Sequence, residues 1–143
     1  PWITFKDPSN IRYSNKHEGI VHSSNLCTEI LLHTSPTKYD EGQVVQVGET
    51  AVCNLASINL ASHLKVRTID WKKLQKTVEV AVRGLDNVIN LNFYPTEEAK
   101  KANLKHRPVG LGIMGTHDVL HKLGIPYNSQ DAVILCGKIQ EFI

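Results

Sequence analysis

Aromatic residues, methionine and long apolar runs are scarce in this chain. Phe, Trp and Tyr make up 6% of the 143 residues, and there is a single methionine. No run approaches the roughly 18 apolar residues that a membrane-spanning helix needs, and no signal-peptide pattern is present. The net charge of +2 is too small to favour a nucleic acid or a membrane surface as partner. The remaining composition, 41% hydrophobic and 21% charged, is typical of a globular domain.

Cysteine is too scarce for a disulfide framework. The three cysteines, Cys27, Cys53 and Cys136, are an odd number, and their spacing contains neither a CxxC pair nor a zinc-ligand pattern. We therefore expect reduced thiols in a cytoplasmic protein and no bound metal. Cys136 lies in an apolar helical stretch and is interpreted as a buried structural thiol. Cys27 and Cys53 have polar neighbours and call for another explanation.

The length is that of one domain. Because the chain begins at Pro1 rather than at a methionine and ends at Ile143 within a helical pattern, we expect a piece of a longer polypeptide, with a single partial domain over residues 1–143 and no second domain.

Helical patterns dominate the second half of the chain. Apolar residues at helical spacing follow Asp70, a good N-cap, and stop before the Phe93–Pro95 turn. Thr96 is predicted to cap a second helix. A third is expected from near Ile113 to a C-cap at Gly124, and a fourth after Asn128 or Ser129.

The segments that predict strands are shorter than those that predict helices. Strands are predicted at residues 2–5, towards the end of 25–33 and at 108–111, and residues 51–58 read as a strand or a strand-to-helix corner. Residues 7–10 are predicted to form a turn, and residues 35–48 a surface excursion. Short strands between long helices predict an α/β fold, but this pattern does not distinguish an open sheet from a barrel.

The segment Ser24–Ile30 is the most informative part of the sequence. Asn25, Cys27 and Glu29 occupy alternate positions, and in an extended or finger-like segment alternate side chains point the same way. The spacing therefore predicts an amide, a sulfur and a base that face one small volume.

A second cysteine, Cys53, follows 26 residues later in the segment Ala51–Leu60. The two segments together resemble the active-site segments of the large subunit of the ribonucleotide reductases, and the resemblance continues through residues 71–91 and 107–112. Asn-x-Cys-x-Glu alone would be weak, but the pair in this order and at this distance is specific. Leu26 and Thr28 favour the aerobic, two-subunit class I, since the cobalamin-dependent relatives typically carry Asn-Pro-Cys-Gly-Glu here.

The resemblance implies a role for each residue of the two segments. Cys27 would hold a transient thiyl radical, which can abstract hydrogen from ribose C3′ because S–H and sugar C–H bonds are similar in strength. Glu29 would take the 3′-hydroxyl proton as general base, and Asn25 would hydrogen-bond the substrate hydroxyls. Cys53 would be one member of a redox dithiol whose partner lies outside this chain. The substrate-binding residues would include Ser24 and Leu55.

The resemblance also implies a fold and partners. The fold would be part of a ten-stranded α/β barrel in two five-stranded halves, with a finger loop at about residues 24–31 and a redox-cysteine strand at about 51–60. The reaction would convert ribonucleoside diphosphates to deoxyribonucleoside diphosphates for DNA precursor synthesis. Partners would be the remainder of the large subunit, a second large subunit, a radical-generating small (beta) subunit with a metal-based cofactor, and thioredoxin or glutaredoxin. ATP and deoxynucleoside triphosphates would act as effectors outside this segment.

Four other interpretations compete. The chain could be a non-catalytic segment of a split or truncated large subunit that works only when docked to the remainder, or part of a cobalamin-dependent reductase. The run Gly110–Gly115 fits GxGxxG, yet it reads better as a tight strand-to-helix turn than as a dinucleotide site. His117 and His121, four residues apart on a helix, read as surface histidines because no third metal ligand accompanies them.

Overall fold

The computed structural model describes residues 3–143. In chain order the elements are α1 (Lys6–Arg12), β1 (Lys38–Asp40), β2 (Gln43–Gln46), β3 (Asn54–Asn59), a 3₁₀ helix (Leu60–His63), β4 (Leu64–Lys65), β5 (Thr68–Ile69), α2 (Trp71–Leu91), α3 (Glu97–His106), β6 (Val109–Met114), α4 (Thr116–Leu123) and α5 (Gln130–Phe142). The chain divides into two compact units. The first contains residues up to 54 together with 88–108, and the second contains 55–87 together with 109–143.

The second unit has a hydrophobic core formed by its strands and helices. Burial of each large apolar side chain contributes about 1.5–3 kcal/mol, so these residues hold the unit together. The buried members of the core are Ile58, Leu60, Ile69, Leu74, Val119 and Ile139.

In the first unit, α3 is the main regular element. Thr96 caps it as predicted, because its side chain accepts a hydrogen bond from the Ala99 amide. The Tyr94 hydroxyl donates to the Ile89 carbonyl (2.6 Å) and accepts from the buried Asn103 amide (2.5 Å). These bonds fix α3 against the last turn of α2, whose residues from 88 onward belong to the same unit.

The predicted helices are confirmed. Asp70 caps α2 by accepting from the Lys73 amide at 3.1 Å, and Ser129 caps α5. Gly124 ends α4 with φ 72°, in the left-handed region that glycine adopts easily. Helix α4 begins later than expected because β6 continues to Met114. Cys136 lies on α5 and is half-buried.

Three local predictions near the N-terminus need correction. Residues 7–10 belong to helix α1 rather than to a turn, since Pro8 lies in the first turn, where the missing N–H costs no helical bond. Residues 25–33 contain no strand, and neither do residues 3–5. Trp2, the first residue of that predicted strand, lies outside the described residues.

The strands of residues 3–143 pair as three two-stranded sheets: β1 with β2, β3 with β6, and β4 with β5. The mixed α/β content is confirmed, whereas these sheets do not close a barrel within the described part of the chain. No helix among these residues has the length and apolar character that crossing a membrane requires.

Candidate functional site

The predicted finger loop is a hydrogen-bonded turn in the first unit. The Thr28 amide donates to the Asn25 carbonyl at 3.1 Å, and Thr28 has φ 63°. A positive φ is unusual for a β-branched residue, so the surrounding contacts must stabilise this conformation. Leu26 is 91% exposed and Cys27 is also exposed. The thiol of Cys27 therefore lies at an accessible tip.

Two further hydrogen bonds close the stem of this loop. The Ser24 hydroxyl donates to the Ile30 carbonyl at 2.7 Å, and the Ile30 amide donates to Oδ1 of Asn25 at 3.1 Å. Ser24 and Ile30 are only half-exposed, in contrast to the tip. The stem thus holds the two ends of the tip together without any regular secondary structure.

Of the two arrangements expected for Asn25, Cys27 and Glu29, an extended or a finger-like segment, the extended one is not formed. The hydrogen-bonded turn spans Asn25 to Thr28, and Thr28 itself is left-handed, so strand-like alternation does not apply. Oδ1 of Asn25 accepts a bond from within the loop, from the Ile30 amide. The group that Asn25 can offer to a ligand is therefore its Nδ2 donor.

A groove of about 410 Å³ lies beside the stem of the finger loop. It brings together three residues that the sequence singled out, Ser24, Asn25 and Cys53. Cys27 and Glu29 belong to the exposed tip rather than to this lining. The lining is Ser23, Ser24, Asn25, Ile30, Leu32, Thr34, Ala51, Val52 and Cys53.

Cys53 lies immediately before β3, and its Sγ is 3.7 Å from the Asn54 carbonyl oxygen. Burial raises the pKa of the Cys53 thiol, and the negative charge of Glu29 raises it further. Both effects disfavour the thiolate, so Cys53 holds its proton at neutral pH. The same effect shows that the Glu29 carboxylate lies within electrostatic range of Cys53.

A cluster of polar and charged side chains surrounds Glu49, four residues before Cys53 of the groove; Glu49 is buried, whereas Lys105 is exposed. The Glu49 carboxylate, 7% exposed, accepts from Nε2 of His106 at 2.5 Å and from Nζ of Lys105 at 3.0 Å. Lys105 also donates to Glu18 at 2.6 Å. His106 lines a second cavity of about 220 Å³.

The electrostatics of this cluster favour the carboxylate form of Glu49 and the charged form of Lys105. Burial alone would raise the pKa of the Glu49 carboxyl, but the hydrogen bonds from His106 and Lys105 outweigh burial and leave that pKa below its usual value. The hydrogen bond to Glu18, followed by that to Glu49, raises the pKa of Lys105. Sequence reasoning missed this cluster because 56 residues separate Glu49 from Lys105. Only the fold brings them together.

The remaining sequence candidates lie in the second unit. Leu55 is on β3 and is 55% exposed. Gly115, in the GxGxxG run, has φ 79° and begins α4 after β6, the tight strand-to-helix turn that was expected. His117 is exposed, with its ring 5.8 Å from that of Tyr127. Within residues 3–143, no three metal-ligating side chains come together.

Comparisons with known proteins point to one family. The family described as "Ribonucleotide reductase, barrel domain" matches residues 1–143. The ribonucleoside-diphosphate reductase subunit alpha of Chlamydia pneumoniae is 56% identical over the whole chain. The corresponding large chain of Schizosaccharomyces pombe is 38% identical, and the large subunit of Danio rerio is 37% identical, again over the whole chain.

The chain therefore belongs to the ribonucleotide reductase barrel-domain family. It spans 13% of the length of the Chlamydia pneumoniae relative, 16% of the yeast one and 17% of the zebrafish one. The relatives are therefore several times longer than this chain.

Proposed function

We propose that this chain is a catalytic segment of the large subunit of a class I ribonucleoside-diphosphate reductase. The observation that carries the proposal is the placement of an exposed thiol, Cys27, at the tip of a loop whose stem shares a groove with Cys53. Relatives named ribonucleoside-diphosphate reductase match the whole chain, which supports the same activity. The substrate class is ribonucleoside diphosphates.

Each residue has a task in a balanced reaction. A thiyl radical at Cys27 removes the C3′ hydrogen, so an S–H bond forms and a C–H bond breaks. Glu29 accepts the 3′-hydroxyl proton, and the 2′-hydroxyl leaves as water with a proton from a thiol pair. That pair, of which Cys53 is one member, then delivers a hydrogen atom to C2′, where a new C–H bond replaces the broken C–O bond. A second electron from the pair goes to C3′, and the pair, which has lost two protons and two electrons in all, becomes a disulfide. Cys27 then returns its hydrogen to C3′, which restores the radical, and Glu29 returns its proton.

The geometry supports these tasks. An exposed Cys27 can reach a sugar, and a Cys53 that holds its proton can supply it when the 2′-oxygen leaves. Nδ2 of Asn25 donates to the substrate hydroxyls, since its Oδ1 is used in the loop. Ser24 contributes to the same groove. Leu55 is proposed as an apolar contact of the substrate.

The segment works within a larger assembly. The remainder of the large subunit completes a ten-stranded α/β barrel and supplies the second redox cysteine, and two large subunits form a homodimer. A metal-based cofactor in a small subunit supplies the one-electron oxidation of Cys27. Thioredoxin or glutaredoxin reduces the disulfide by thiol exchange. ATP and deoxynucleoside triphosphates act as effectors elsewhere on the subunit, and the enzyme is cytoplasmic.

The test is reduction of a ribonucleoside diphosphate by the full-length large subunit together with its radical-generating partner and dithiothreitol. We expect deoxynucleoside diphosphate from the wild type and none above background from Cys27→Ser. Cys136→Ser is the matched control, because Cys136 lies on α5 in the other unit and should tolerate the change. Full activity of Cys27→Ser would refute the proposal.

A second candidate function is that of a structural segment, active only when the rest of the subunit covers it. Large exposed apolar side chains favour this role, notably Leu91 and Phe93, each 84% exposed. In this case the isolated chain has no activity but restores it when complementary fragments are added. Gel filtration separates the cases, because a stable compact monomer would count against obligate docking.

A further inference from the structure

Lys105 connects three segments of the first unit, since it donates both to Glu49 and to Glu18. The partners of the Glu49 carboxylate, Lys105 and His106, form the last turn of α3. Lys105 also reaches Glu18, which lies in the loop leading into the finger. The end of α3 is therefore joined both to the chain that enters the finger and to the segment that leads to Cys53.

The backbone of Glu49 makes a second connection. Its N–H and C=O both pair with Ser35, at 2.9 Å each, and Ser35 lies on the chain that leaves the finger. A Cβ on Gly48 would lie 2.3 Å from the Ser35 carbonyl oxygen, so only glycine allows this approach. The Thr50 amide donates to the Glu98 carbonyl of α3 at 3.2 Å.

We infer that Glu49 is a positioning residue that sets Cys53 relative to the finger loop carrying Cys27; this inference rests on the proposed function. Only three residues separate Glu49 from Cys53, and two of them, Ala51 and Val52, line the groove. A displacement at Glu49 is therefore transmitted to the groove wall and to the thiol.

The chemical nature of the cluster also points to positioning rather than to stability alone. A buried carboxylate pays a large desolvation cost, and well-packed apolar residues would often stabilise a fold as well or better. Directional hydrogen bonds from Lys105 and His106, by contrast, restrict the orientation of Glu49 in a way that apolar contacts do not.

The first test is Glu49→Gln in the full-length subunit, assayed with its radical-generating partner and a ribonucleoside diphosphate. Glutamine keeps the shape but loses the charge and one acceptor oxygen. A misplacement of about 1 Å can cost about 100-fold in rate, so we expect kcat to fall about 10- to 100-fold. KM should stay within about threefold, because Ser24 and Asn25 are held by the stem's own hydrogen bonds. The control is Glu97→Gln, which changes an exposed carboxylate on α3. Its kcat and KM should match those of the wild type.

The second test is a pair of variants at His106. Glutamine places an amide donor where Nε2 of histidine lies, whereas leucine fills space without donating. We expect His106→Gln to keep kcat within about threefold of the wild type and His106→Leu to reproduce the loss seen in Glu49→Gln. If His106 only filled volume, the two variants would have the same kcat.

The outcomes are distinguishable. The positioning role is overturned if Glu49→Gln has the kcat of the wild type, or if its KM rises by the same factor as its kcat falls. Either result leaves the proposed function intact. If Glu49→Gln does not fold by circular dichroism, the His106 pair decides, and equal kcat in its two members overturns the role. A wild-type subunit that reduces no ribonucleoside diphosphate overturns the proposed function instead.

Discussion

At the scale of single residues, the two candidate thiols have opposite environments. Cys27 is exposed at the tip of a turn, whereas Cys53 is half-buried and has a raised pKa. An accessible sulfur suits hydrogen abstraction from a substrate, and a protonated one suits proton and electron donation. The difference depends on where the fold puts each residue, since both are ordinary cysteines in the sequence.

Replacing Glu29 should change the reactivity of Cys53. In Glu29→Gln the loss of a negative charge lowers the pKa of Cys53, so more thiolate is present and alkylation by iodoacetamide is faster. We expect an increase of about two- to fivefold, the size of a partly screened charge interaction. Cys53 should still react more slowly than Cys27, because burial is the larger cause of its raised pKa.

Mass spectrometry of the alkylated full-length subunit measures both rates in one sample. Glu97→Gln, which removes an exposed carboxylate elsewhere in the same unit, should leave the rate at Cys53 unchanged. An unchanged or slower rate at Cys53 in Glu29→Gln would show that the two side chains are not in electrostatic contact.

The lowered pKa of Glu49 predicts an acid-sensitive segment. Because the folded state binds this proton less readily than the unfolded state, the stabilising contribution is present above the ordinary value of 4.5 and is lost as the pH falls below it. Hydrogen exchange of residues 47–53, corrected for intrinsic rates, should show this loss of protection in the wild type. Glu49→Gln should flatten the dependence, and an unchanged profile in that variant would contradict the account.

At the scale of elements, the helices after residue 70 could be predicted from the sequence, whereas helix α1 and the site geometry could not. Thr96, Gly124 and Ser129 mark helix ends through bonds to near neighbours, so the local pattern is sufficient. The finger loop depends on Thr28, which has a left-handed conformation that threonine rarely adopts. For this reason the sequence did not distinguish the turn from an extended segment. The cluster at Glu49 depends on partners far away in the sequence.

Helix α3 offers a direct test of the capping prediction. Thr96→Ala removes the acceptor for the Ala99 amide and should destabilise the first turn of the helix by about 1 kcal/mol. Hydrogen exchange of the amides at residues 97–100 in the full-length subunit measures this loss. Thr96→Ser keeps the hydroxyl and should retain protection, so equal exchange in the two variants would refute the role of the cap.

At the scale of the whole molecule, this chain matches one part of the large subunits of its relatives. It spans 13–17% of the length of the relatives compared above, and its described strands close no barrel. Within the first unit, nevertheless, hydrogen bonds and the short segment from Glu49 to Cys53 connect the finger loop, the groove and the cluster at Glu49. The chemistry proposed for Cys27 and Cys53 therefore has a local structural basis in this chain.

The most direct test of the central claim is the radical signal of the partner subunit after substrate is added to the full-length enzyme. The account predicts that Cys53→Ser still consumes the radical in a substrate-dependent way, because hydrogen abstraction by Cys27 precedes reduction. Cys27→Ser should consume none and form no product, while Cys136→Ser should behave as the wild type. Substrate-dependent radical loss or product formation in Cys27→Ser would contradict the assignment of the thiyl radical to Cys27.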